Sequence, residues 1–217
     1  MTYGQRITTK KNQILYSPDN QVQADSLYYL ESGVVALMSY SREGEERVYQ
    51  YFHKQRILGF MPLLLSAIDC QAITGKKDRL QLFQMTKSPC ILYQMRGNVF
   101  RKLLKEDLKF NQLMLQAVTA NYQEVLIHFQ HSQEDNAGVR FCRLLLEFYV
   151  TKNGEKVLPK TMTCLEISKY LGTHPVTVSR IIARLKKDGC ISKEQGTIII
   201  QDEARLKQLV HDGVEIR

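Results

Sequence analysis

The chain is predicted to be an α+β protein: a β-rich N-terminal part, one long dimerisation helix and a C-terminal winged helix–turn–helix. Three observations predict it. Residues 14–95 hold short β-prone runs separated by turn residues. Residues 108–129 hold a seven-residue apolar repeat. Residues 162–200 hold two amphipathic segments around a tight turn, then two runs of β-branched residues.

From Ile14 onward, Ser26–Tyr40 reads as a strand pair broken by Glu31-Ser32-Gly33, and Arg42-Glu43-Gly44-Glu45 as a hairpin turn. Arg47–Phe52 alternates as a half-buried strand would, and further strands are expected at Gln71–Thr74, Leu80–Thr86 and Ile91–Met95. Many short strands with frequent turns predict a barrel or jelly roll. A short helix is expected over Asn98–Leu104 and a long one over Asp107–Gln133.

In the long helix Leu108, Asn111, Leu115, Val118, Tyr122, Val125 and Phe129 alternate in steps of three and four, the seam of a two-stranded coiled coil. Asn111 sits where a polar residue can set register. A second stripe, Phe110, Met114 and Ala117, can face the β-rich part. The polar run Ser132–Gly138 marks a hinge. Arg140–Val150 is a further amphipathic helix with Phe141, Leu144, Leu145 and Phe148 inward, and Asn153-Gly154 makes a turn. The domain division is therefore 1–106 for the β-rich domain, 107–135 for the dimerisation helix and hinge, and 136–217 for the winged helix.

Within Met162–Cys190, Leu165, Ile167 and Leu171 offer an apolar side, Gly172 permits the turn, and Pro175 suits the first turn of the next helix. Val178, Ile181, Ile182 and Leu185 anchor that helix. Its other side carries Val176, Thr177, Arg180, Arg184 and Lys187, a small, hydroxylated and basic face that suits the major groove. An ordinary helical hairpin with solvated charges would show the same two helices. The strands on either side of the polar turn in Cys190–Ile200 favour a winged helix. A last helix is expected over Glu203–Val210.

Composition bounds the function. The hydrophobic share of 44% and charged share of 24% are those of a globular protein. No run of about 18 apolar residues and no basic-then-apolar leader is present, so neither a membrane span nor a secretory signal is expected, and the location is expected to be cytoplasmic. The cysteines Cys70, Cys90, Cys142, Cys164 and Cys190 form no Cys-x-x-Cys pair, which argues for reduced thiols rather than a disulfide framework or a zinc site. The net charge is +8. Residues 137–217 hold 14 Lys/Arg against 9 Asp/Glu, and residues 1–136 hold 16 against 13. The smaller part is denser in positive charge, which favours a polyanion.

The segment HPVTVSRIIARLKKDGCIS resembles the DNA-binding domain of the Crp/Fnr superfamily of bacterial transcription regulators. It is especially similar to the subgroup holding the regulator of chlorophenol-dependent respiration. The resemblance extends over nearly the whole chain and implies a double-stranded, cyclic-nucleotide-binding-like β-roll, with Gly33 and Gly44 at the family's strand and hairpin turns. It implies DNA contacts from His174, Val176, Thr177, Ser179, Arg180, Arg184 and Lys187. Arg180 matches a basic position of the family, and Ser179 resembles a serine of its oxygen-sensing members. Val176 replaces the glutamate with which many members read a G·C pair.

The departures from the family concern the sensor. Nucleotide-binding members begin the ligand loop with Gly-Glu and hold the phosphate with Arg-Ser or Arg-Thr. Here the pairs are Gly59-Phe60 and, by spacing, Cys70-Gln71, which argues against cyclic AMP. Lys76, Lys77 and Arg79 are cations whose place the sequence leaves open. No cysteine precedes Cys70 to hold an iron–sulfur centre, and His53 is the sole histidine of the β-rich part, so no metal or other cofactor is expected. The apolar loop Met61–Ile68 lies near Tyr49 and Tyr51. These two, with Phe60 and Tyr122, are candidates to line a pocket for a small apolar effector. A loop that is plain core, with no effector, fits equally.

Two function classes follow. One is a homodimeric, sequence-specific regulator on double-stranded DNA at a palindromic A/T-rich site, contacting RNA polymerase if it activates. The other is a small-molecule-binding protein whose helical tail makes protein contacts. With no nucleophile–base pair, metal-ligand spacing or phosphate loop, an enzyme is not expected. The resemblance favours the regulator.

Overall fold

The computed structural model describes residues 3–17, 25–53, 55–65 and 81–216. The strand expected at Gln71–Thr74, the pair Cys70-Gln71 and the cations Lys76, Lys77 and Arg79 lie outside the described residues. The chain forms two compact units, Met1–Glu124 and Val125–Arg217.

The described part of the first unit begins with β1 (Gln5–Thr9), β2 (Ile14–Tyr16), β3 (Ser26–Ser32), β4 (Val35–Tyr40), β5 (Glu46–Phe52) and β6 (Arg56–Leu58). After helix α1 (Phe60–Leu65) come β7 (Phe83–Thr86) and β8 (Cys90–Arg96). The strands form two four-stranded antiparallel sheets, ordered β1-β8-β3-β6 and β2-β7-β4-β5. Between them lies a core that includes Leu15, Leu30, Val35, Phe52, Leu58 and Leu92. This is the expected β-roll.

Three details differ from the sequence reading. Strand β1 precedes Ile14; it is an edge strand whose polar residues show no apolar alternation. Second, Ser26–Tyr40 is not a hairpin. β3 and β4 belong to different sheets, and Gly33 turns the corner between them with φ +102°. A Cβ at Gly33 would stand 2.5 Å from Cys90 Sγ and 2.6 Å from the Pro89 carbonyl oxygen. Third, the start of the loop expected at Met61–Ile68 is helix α1. Its Leu63 is 1% exposed and packs with Leu27, Phe100 and Met114, while Phe60 leans on the same cluster. The Arg42–Glu45 turn does join β4 to β5, with Gly44 at φ +81°.

Helices α2 (Gly97–Glu106) and α3 (Leu108–Glu134) follow β8. Phe110 meets Phe100 edge-on at 5.8 Å and Met114 is buried, so the second stripe of α3 does face the β-roll. The helix runs through Ser132, leaving only Asp135 and Asn136 outside helix before α4 (Ala137–Phe148). Asn136 caps α4 by accepting from the Val139 N–H at 3.0 Å.

The second unit continues with β9 (Val150–Lys152), β10 (Glu155–Val157), α5 (Cys164–Leu171), α6 (Pro175–Lys187), β11 (Ile191–Glu194), β12 (Thr197–Ile200) and α7 (Glu203–Asp212). The Asn153-Gly154 turn closes a β9–β10 hairpin that the sequence reading left unseen. Its strands are three residues each, too short for a period to show. They extend the wing into a sheet ordered β11-β12-β10-β9. The core holds Phe141, Leu144, Leu145 and Phe148 as expected, with Ile167, Leu171, Val178, Ile181, Ile182 and Leu185. Leu165, expected inward, is 54% exposed; Tyr170 takes its place in the core.

Cys90, Cys142 and Cys190 are buried, and these and Cys164 are free thiols. Burial raises the pKa of Cys90 and Cys190; burial and then the neighbouring Cys190 push Cys142 up to about 12. Thiols so held make little thiolate and act as small apolar groups. No described helix is long and apolar enough to cross a membrane.

Candidate nucleic-acid interface

Each end of the helix pair α5–α6 is capped by its own sequence. Thr163 accepts from the Glu166 N–H at 3.2 Å to start α5. Gly172 ends it in the left-handed region, φ 58° and ψ 38°, and its N–H returns to the Ser168 carbonyl. Helix α6 then opens on His174, whose Nδ1 accepts from the Val176 N–H at 3.2 Å, with Pro175 in the first turn. Because Nδ1 is an acceptor, Nε2 carries the proton of the neutral ring.

One side of α6 is closed: Val178, Ile181, Ile182 and Leu185 are each 5% exposed or less. At 3.6 residues per turn the opposite side is centred on Val176, Arg180, Ala183 and Lys187. All four are exposed. Arg184 and half-buried Thr177 flank this stripe on one edge, Ser179 and Lys186 on the other. Arg184 is partly spent, since its Nε donates to Asp188 at 3.0 Å. Arg180 forms no ion pair with any described residue. Lys186, which the sequence reading passed over, belongs to this face; its exposure follows from the same helical period.

The wing follows directly. β11 and β12 pair from Ile191↔Ile200 to Glu194↔Thr197, leaving a two-residue turn. Gln195 and Gly196 both take positive φ, 47° and 81°, as a tight hairpin of this twist needs. Exposed Lys193 sits beside that turn. Glu203 ties α7 to β10 through Lys156, and a second ion pair links it to Lys207 at 2.5 Å. These two ammonium groups hold its carboxyl down to about 2.

The other sequence-predicted residues are placed as follows. On α3, Leu108 is 72% exposed, Leu115 67%, Tyr122 63% and Phe129 61%; Val125 and Asn111 are also exposed and Val118 half-buried. They form an apolar stripe along the helix. The Asn111 amide donates to the Leu104 carbonyl at 3.0 Å, where it caps α2. The four candidates for the effector pocket differ in exposure. Tyr51 is buried, Phe60, the first residue of α1, is half-buried against the cluster around Leu63, and Tyr49 and Tyr122 are exposed. A bulge explains the tyrosines: Leu37 pairs with Gln50 and Met38 with Val48, so Tyr49 falls out of step with its strand.

The geometry is thus an anchored helix with a small basic face beside a wing, carried in a chain with a β-roll. Residues 6–107 match the cyclic nucleotide-binding domain family and residues 139–209 the Crp-like helix-turn-helix domain family. The fumarate and nitrate reduction regulatory protein of Vibrio cholerae is 22% identical over 202 residues, 92% of this chain and 76% of its own. The transcriptional activator protein Anr of Pseudomonas protegens is 22% identical over 88% of this chain and 75% of its own. FixK2 from Bradyrhizobium japonicum shares the fold with a TM-score of 0.77 at 16% identity, over 95% of this chain and 96% of that one. CprK complexed with OCPA does so at 0.59 and 18%, over 95% and 89%. With both domains matched in order and whole regulators aligned along most of their length, the chain belongs to the Crp/Fnr family of DNA-binding transcription regulators.

Proposed function

We propose that the chain works in the cytoplasm as a homodimer through α3, placing two copies of α6 in successive major grooves of a palindromic, A/T-rich site. The observation that carries this reading is the exposed stripe Val176–Arg180–Ala183–Lys187 opposite a fully buried face. The Arg180 guanidinium can bond guanine through two parallel contacts, and the Val176 methyls can pack on thymine methyls. The His174 Nε2–H, Thr177, Ser179 and Lys187 suit phosphates or neighbouring base edges, and Arg184 does so on leaving Asp188. Two-fold symmetry separates the half-sites by about one helical turn. If the regulator activates, RNA polymerase is a further partner.

The control is not by a cyclic nucleotide. Phe60 supplies a benzyl group where a ribose-binding carboxylate would be needed, and it is half-buried against the cluster around Leu63. A small apolar effector, or none, is consistent with that lining. Selection of bound sequences from random DNA should return a palindrome, and Arg180→Ala should then lose about 1–3 kcal/mol per half-site and relax one base position. An Arg180→Ala variant with unchanged affinity and preference would remove α6 as the reader.

A further inference from the structure

Among the described residues, two attachments of helix α3 to the β-roll differ in chemistry. Near its start the attachment is apolar: Phe110 and Met114 sit on Phe100, Leu27 and Leu63. Beyond Met114 no residue of the helix is buried up to Glu124, a stretch of ten residues or about 15 Å. At Glu124 the attachment is polar. Gln50 Nε2 donates to Oε2 of this carboxylate at 2.6 Å, and an Arg56 guanidinium nitrogen donates to Oε1. Both carboxylate oxygens are therefore engaged. Gln50 is 8% exposed, and it comes from β5, the edge strand of one sheet; Arg56 comes from β6, the edge strand of the other. One side chain stitches the helix to both sheets, at the last residue of the first unit.

We propose that Glu124 is an internal latch: it holds α3 on the β-roll with the chain's own groups, so that the protein binds DNA with no small molecule present. This rests on the DNA-binding reading above. An exposed carboxylate–guanidinium pair alone would hold little. The buried Gln50 amide changes this, because a Glu124 side chain swung away leaves that amide without its acceptor, and a hydrogen bond to a charged group is among the stronger ones.

The test uses the full chain, dialysed and free of added effector, on a duplex obtained by selection. Wild type is expected to bind. Glu124→Ala should weaken binding about tenfold, the scale of one lost hydrogen bond to a charged group. Arg56→Ala should weaken it in the same direction. The double exchange Arg56→Glu with Glu124→Arg should recover part of the loss. Circular dichroism melts distinguish a released helix from a chain that no longer folds; should Glu124→Ala not fold, Glu124→Gln serves in its place. A wild type that, free of effector, holds random duplex at low salt but prefers no sequence overturns the latch; one with no affinity for any duplex even at low salt overturns the DNA-binding reading itself. A wild type that binds, with Glu124 and Arg56 variants of equal affinity, overturns the latch alone.

Discussion

His128 of α3 lies half-buried with its ring 4.7 Å from that of Tyr170, which meets Phe148 edge-on at 5.6 Å. Burial, then the charges of His131 and Arg140, hold its pKa below the ordinary 6.5. With the folded pKa depressed, the folded ring stays neutral while the unfolded chain takes up a proton. Stability is then full above about pH 6.5 and is lost as pH falls through the folded value. Urea midpoints should be higher at about pH 7.5 than at about pH 5.5, and His128→Phe should narrow that gap. A gap of the same width in the variant would place the acid response elsewhere. Gly33 is a second residue with a physical constraint. Gly33→Ala meets both a positive φ and the Cys90–Pro89 backbone, and should cost on the order of 3 kcal/mol in thermal or urea melts. Gly33 was legible as a turn because glycine marks turns. Its role as a corner between sheets was not, because that depends on β8, some sixty residues on in the chain. Asn111 shows the same limit: its place in a heptad is visible in sequence, but the Leu104 carbonyl beside it comes from the preceding helix.

Among the described elements, α3 carries more exposed large apolar side chains than any other, with Leu108, Leu115, Tyr122, Val125 and Phe129 each at least 43% exposed. A helix with one described buried residue, Met114, and a stripe of this kind is suited to a second copy of itself. Replacing Leu115 and Val125 together by Asp would set like charges against each other along the proposed helix pair. Light scattering should then report the monomer mass, and an undisturbed dimer would place the interface outside α3. The heptad was readable because its period survives any packing. Helix α1 was not: Phe60–Leu65 is too short for a period, and only its contacts with Leu27, Phe100 and Met114 show why it coils.

For the whole molecule, the charge of +8 should appear as a salt-dependent affinity for duplex DNA. Lys187→Ala should weaken all duplexes alike and lower the slope of log affinity against log salt by about one unit. A selective loss at one base position would make Lys187 a base reader instead. The sequence by itself determined the order of the parts, the Pro175 first turn and buried face of α6, the wing and the excess of positive charge in the C-terminal part. Each is written in local periods, turn residues and charge counts, which hold wherever the segment lies. Tertiary structure decided what depends on distant partners. It assigned β3 and β4 to separate sheets, added β9 and β10 to the wing, turned Tyr49 out of step with Tyr51, and joined Gln50, Arg56 and Glu124. A carboxylate on a helix and an amide on a strand carry no mark of each other in sequence. Their hydrogen bond exists only once the packing of the sheets has set the positions of both edge strands.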